Sequence, residues 1–161
     1  MSSGYKYARK EAMVSLIGAC VICLIIFFFI EKGSKPVSEM FSDVAMGVVF
    51  AALICAIIQF PMRKKVVKEG KVSFPGEISD QASIVLKPGN KIVFIVFITI
   101  AAVVLFACGI PGLICLFAPQ ASMPRLAYVV FKSLMTGCGS GYATYYGTVY
   151  ACLTMQNKLS D

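Results

Sequence analysis

The chain has 161 residues, of which 58% are apolar, with a mean hydropathy of +0.82 and a net charge of +7. Soluble domains hold about 45–50% apolar residues, so a water-soluble fold of this size is excluded, and with it the folded basic face that would read nucleic acid. Histidine is absent, which removes the commonest general base and metal ligand, and there is no Walker motif, carboxylate dyad or serine nucleophile motif.

The apolar residues gather in four blocks, 12–30, 41–60, 92–118 and 126–155. Each is near or above the ~20 residues that a helix needs to cross about 30 Å of hydrocarbon. Lys6, Arg9 and Lys10 precede the first block as in a secretory signal, but its end, Phe27, Phe28, Phe29, Ile30, has no small-residue cleavage pattern. It is therefore expected to be an uncleaved first span. Cys20 and Cys23 within it form a C-x-x-C pattern. The quinone-coupled disulfide-forming enzymes and vitamin K epoxide reductases need a further pair at the outer surface, and here all seven cysteines lie inside apolar blocks, where they serve packing.

The second block carries Asp43 and a line of small residues, Gly47, Ala51 and Cys55. Arg63, Lys64, Lys65, Lys68 and Lys71 follow it directly, as in a segment lying on anionic lipid headgroups, although an orientation signal alone would have the same form. The segment 62–91 reads as a basic loop, with Gly70, Pro75, Gly76, Pro88 and Gly89 as turn residues. In the third block, Gly109, Ile110, Pro111 and Gly112 predict a kink or break, because proline lacks an amide proton and glycine costs backbone entropy. Such a break serves either a solute site or a plain bend.

The fourth block is rich in small and hydroxylated residues. Ser133, Gly137 and Gly141 form one line at four-residue spacing, Thr136, Ser140, Thr144 and Thr148 a second, and Ala143, Gly147 and Ala151 a third. Ridges of this kind let transmembrane helices approach closely. The expectation is that the second and fourth spans pack at the centre, with the first and third peripheral. Tyr142, Tyr146 and Tyr150 recur every four residues, either lining a polar cavity or joining helices by hydrogen bonds. Lys132 continues the threonine line outward, and an ionisable group in a span is by default a functional-site candidate. Asp43 and Lys132 either pair across the seam or each snorkel to water.

Basic residues orient the chain: three precede the first block, seven lie in the central loop and one in the tail, against three in the two opposite loops. Both termini and the central loop are thus expected in the cytoplasm. The exit from the second span, Gln59, Phe60, Pro61, Met62, Arg63, Lys64, Lys65, together with the plan of two successive hairpins, resembles uncharacterised bacterial membrane proteins built from two-helix hairpins in tandem. That resemblance implies a bacterial inner-membrane location and carries over no active residue.

The sequence thus predicts an all-α, integral membrane four-helix bundle forming one domain, with two hairpins in parallel orientation. A homo-oligomer or a membrane partner is expected to complete it. Its expected role is to bind or pass a small solute or ion along a pathway lined by Asp43, Lys132, Thr136, Ser140, Tyr142, Thr144, Tyr146 and Thr148. The alternative is a non-catalytic accessory subunit that binds a partner protein or lipid. No catalytic, cofactor or metal residue is expected.

Overall fold

The computed structural model of the protein describes residues 3–72, 74, 90–118 and 120–160. Pro75, Gly76, Pro88 and Gly89 of the central loop lie outside the described residues. Long apolar runs form α1 (Ser3–Ile30) and α2 (Val37–Lys68), the second passing through Pro61. Asn90 opens α3 (Lys91–Val103) by accepting a hydrogen bond from the Ile92 amide at 2.9 Å, a side-chain cap for an otherwise orphaned donor. A π-helical turn at Val104–Gly109 carries the chain into α4 (Ile110–Phe117). The last helix, α5 (Arg125–Ser160), has 36 residues.

The break expected at Pro111 is absent, and helical structure continues through it. Pro111 offers no amide to the carbonyl four residues earlier, and the wider π turn just before it shifts the backbone register.

Three helical stretches are long and apolar enough to cross a membrane: Gly4–Ile30, Val37–Lys68 and Lys91–Phe117. The fourth block, expected to resemble them, forms a helix of different character. Glycines, hydroxyls and tyrosines dilute its apolarity, and between residues 128 and 153 only Val130 and Leu134 are exposed. α5 is therefore the axis of the fold, with α1, α2 and α3 packed around it.

The small residues of α5 explain this placement. A β-carbon at Gly137 would lie 2.1 Å from Cys20 Sγ and 3.0 Å from the Leu16 carbonyl oxygen, and one at Gly141 would lie 3.2 Å from the Ala12 carbonyl oxygen. Only glycine lets the two backbones come so close. This corrects the expectation that α1 is peripheral, since the Gly137 and Gly141 line meets α1 and not α2. α2 instead faces Gly139, through Val48, and Gly147, through Gln59 and Ala56. The fully buried ridge of α2 is Val44, Val48, Ala52 and Ala56. Ala51 is half-buried beside it, and Gly47 abuts Thr136.

Both ends of the bundle are tied. A two-stranded antiparallel ladder joins β1 (Lys35–Pro36) to β2 (Ser122–Met123), with Lys35 opposite Met123, so the loops after α1 and α4 share one end. At the far end the Phe74 amide donates to Gln156 Oε1 and Gln156 Nε2 donates to the Phe74 carbonyl, both at 3.2 Å. The Phe74 ring also packs edge-on against Tyr5. The start of α1, the segment after α2 and the last turns of α5 therefore meet opposite the ladder.

Candidate functional site

At 3.6 residues per turn, four-residue spacing puts Lys132, Thr136, Ser140, Thr144 and Thr148 on one face of α5. All five are buried, and four of them contact polar side chains of α1, α2 or the α1–α2 connection. The line has three parts.

At the ladder end, Lys132 Nζ lies 2.9 Å from Glu31 Oε1 and 3.1 Å from Asp43 Oδ2. The Tyr128 hydroxyl donates to the same Asp43 oxygen at 2.5 Å. Lys35 Nζ stands 3.6 Å from Asp43 and 3.7 Å from Glu31, so two ammonium groups face two carboxylates. Partial burial opposes the charge of Lys35, but the carboxylates of Asp43, Glu31 and Glu39 outweigh it and raise its pKa above the ordinary lysine value. The Phe27 ring, 4.3 Å from Lys132 Nζ, covers the ammonium from a further side. Asp43 and Lys132 are thus brought together, and Lys132, only 6% exposed, does not snorkel.

In the middle, Ser15 of α1 shares a hydrogen bond with Ser140 at 2.8 Å and accepts one from Thr144 Oγ1 at 2.8 Å. Cys55 of α2 lies 3.0 Å from the Ser140 hydroxyl. One turn toward the ladder, Thr136 Oγ1 points at Gly47 and is the one buried side-chain oxygen or nitrogen without a partner among the described residues.

At the far end, Gln59 Oε1 accepts from Thr148 Oγ1 at 3.0 Å and from Arg63 Nε and Nη2 at 2.9 and 2.8 Å. Arg63 Nη2 also reaches Glu11 Oε2 at 2.8 Å, and Nη1 donates to the Tyr7 hydroxyl. Arg63 was expected among the headgroup-facing cations, but it is 3% exposed and turned into the bundle. Its position explains the correction: it falls four residues after Gln59 and seven after Ala56, on the buried face of α2. Lys64, Lys65, Lys68 and Lys71 are exposed.

Between α1 and α2 the far-end network opens sideways into a crevice of about 230 Å³. Glu11, Ser15, Cys55, Gln59, Arg63 and Thr144 line it together with Val14, Ile58 and Met62, and the surface they present to it is mostly apolar. Tyr142 and Tyr146 do not join this lining. Their rings pack together at 4.8 Å, and Tyr142 meets Phe106 of the third span at 6.0 Å. Tyr150 stacks on Phe94 at 3.9 Å and meets Phe60 edge-on. The tyrosine stripe therefore faces the third span and α2, apart from the hydroxyl line.

Tyr7, Glu11, Ser15, Glu31, Lys35 and Tyr128 are members of this seam that the sequence alone did not single out, and Gln59 entered it only as part of the exit from the second span. Glu31 had one signal, an acidic residue at the end of a span on the same side as Asp43 and Lys132. Comparison with family models, with curated proteins and with solved structures finds no match to this chain.

Proposed function

We propose that the chain is a four-span membrane protein, with termini and basic loop in the cytoplasm, that binds a small polar or amphiphilic solute between α1 and α2. The observation carrying this reading is the crevice of about 230 Å³, whose mostly apolar lining includes Glu11, Ser15 and Thr144 beside Val14, Ile58 and Met62. Polar groups in a hydrocarbon layer are costly unless they meet a partner or water, so a mostly apolar crevice bordered by a few polar side chains suits a solute with both characters. Arg63 and Gln59, bonded to each other within α2, hold the inner wall in place through three helix-joining contacts, to Tyr7, Glu11 and Thr148. Binding is favoured over an open pathway, because Ser15, Ser140 and Thr144 bond one another across the middle of the seam.

That same mutual satisfaction of hydroxyls favours the second reading, an accessory subunit whose seam only holds helices together. Cys55 separates the two, since it lines the crevice. With the six other cysteines replaced by alanine, Cys55 in the folded protein should react with N-ethylmaleimide. A panel of amino acids, organic cations and neutral amphiphiles should contain one class that slows the reaction in a concentration-dependent way. An unreactive Cys55, or a rate that no class alters, favours the accessory subunit.

A further inference from the structure

Ile57, Ile58, Pro61, Lys64, Lys65 and Lys68 lie 3, 4, 7, 10, 11 and 14 residues after Ile54, so all seven share one face of α2. The three isoleucines are 52%, 49% and 42% exposed, an apolar stripe turned away from the bundle. Within one turn of Pro61 the stripe becomes basic. Pro61, Lys64, Lys65, Lys68 and Glu69 line an open crevice of about 430 Å³ there. Glu69 is already engaged, by Lys71 at 2.6 Å and by Lys65 at 3.9 Å. Lys64 and Lys68 meet no carboxylate among the described residues.

The result is uncompensated positive charge in a recess placed directly above an exposed apolar stripe. Ammonium groups offer donors and no acceptor, so the recess suits an anionic oxygen group. The stripe beneath argues that this group is attached to an acyl chain. We propose that this end of α2 is a binding site for one anionic phospholipid, with its phosphate between Lys64 and Lys68 and an acyl chain along Ile54, Ile57 and Ile58. The proposal rests on the membrane-spanning part of the reading above and shares only Ile58 with the solute crevice. It also assigns a consequence to the lipid. Arg63 occupies the same turn as Lys64 but faces inward, so a headgroup fixing that turn also fixes the network around Gln59.

The test uses the full chain purified in an uncharged detergent. Phosphatidylglycerol, phosphatidylcholine and inorganic phosphate are titrated separately, with the unfolding temperature and the lipid retained in native mass spectrometry as readouts. Only phosphatidylglycerol should raise the unfolding temperature, as a ligand of the folded state does. The double substitution Lys64→Gln, Lys68→Gln should weaken its binding about 30-fold, the equivalent of about 1 kcal/mol for each lysine near a charged leaflet. Lys6→Gln with Lys10→Gln, an equal loss of charge at the start of α1, should leave binding unchanged. In the wild-type protein, added salt should weaken retention. Equal weakening by both double variants, an equal effect of phosphatidylcholine, a full effect of phosphate alone, or indifference to salt would each overturn the site. Membrane sedimentation of the expressed chain is scored separately, so that failure of the spanning model is distinguishable from failure of the lipid site.

Discussion

Replacing Lys132 with Met should destabilise the protein by about 3–5 kcal/mol, because it leaves the buried Glu31 carboxylate with only the more distant Lys35 ammonium, 3.7 Å away. The side chains of Lys132 and Glu31 are only 8% and 7% exposed, so water cannot replace what either loses. Glu31→Gln should cost less, because Lys132 keeps Asp43 at 3.1 Å. The pair Glu31→Gln, Lys132→Met should recover much of the loss, since it removes both charges together. Asp43→Asn is expected to cost less: its side chain is 35% exposed and Lys35 stands beside it, a setting nearer the about 0–1 kcal/mol of exposed pairs. Equilibrium unfolding in mixed micelles measures all four variants. Additive effects of the Glu31 and Lys132 substitutions would show that the two charges are not coupled.

Arg63→Met should be the other severe substitution, again by about 3–5 kcal/mol, because it strips Glu11 and Gln59 of their shared donor. Gln59 Oε1 would keep only Thr148, and the Tyr7 hydroxyl would lose its donor. Arg63→Lys should restore part of the loss, as an ammonium supplies charge without the planar fork that spans Gln59, Glu11 and Tyr7. Glu11→Gln should soften the effect of Arg63→Met by removing the stranded charge. Lys64→Met, one position along, changes charge equally and should stay within about 0.5 kcal/mol, the usual range for exposed positions. Unfolding midpoints for these variants decide the matter, and equal effects at positions 63 and 64 would contradict an inward Arg63.

The contrast between Arg63 and Lys64 shows what the sequence made legible. Charge alone placed both at the exit of the second span, and both do lie there. What distinguishes them is phase: Arg63 continues the face of Ala52, Ala56 and Gln59, whereas Lys64 follows the exposed Ile57 and Pro61 toward the outside. The polar line of α5 was readable because hydroxyls at four-residue spacing stand out in an apolar helix. Its partner helix was not readable. In hydrocarbon, lipid and protein both accept apolar side chains, so α1 carries them all round and gives no sign of which face meets Gly137 and Gly141. The polar residues of α1 that mark that face, Glu11 and Ser15, were single and unrepeated. Glu31 read as a loop residue, because its burial depends on α5 reaching over it with Lys132. The Pro111 region shows the opposite case: the local rule was correct about strain, but the π turn relieves it without ending the helix.

The central claim is that α5, polar along one face and enclosed by three more apolar helices, crosses the membrane as a fourth span. Single cysteines at Gly33, Lys71, Ser122 and Ser160 in an otherwise cysteine-free protein test it in intact expressing cells with a membrane-impermeant maleimide. Positions 33 and 122 should be labelled from outside, and 71 and 160 only after the membrane is opened. Labelling of positions 122 and 160 from the same side would show that α5 does not cross, and would contradict the four-span arrangement.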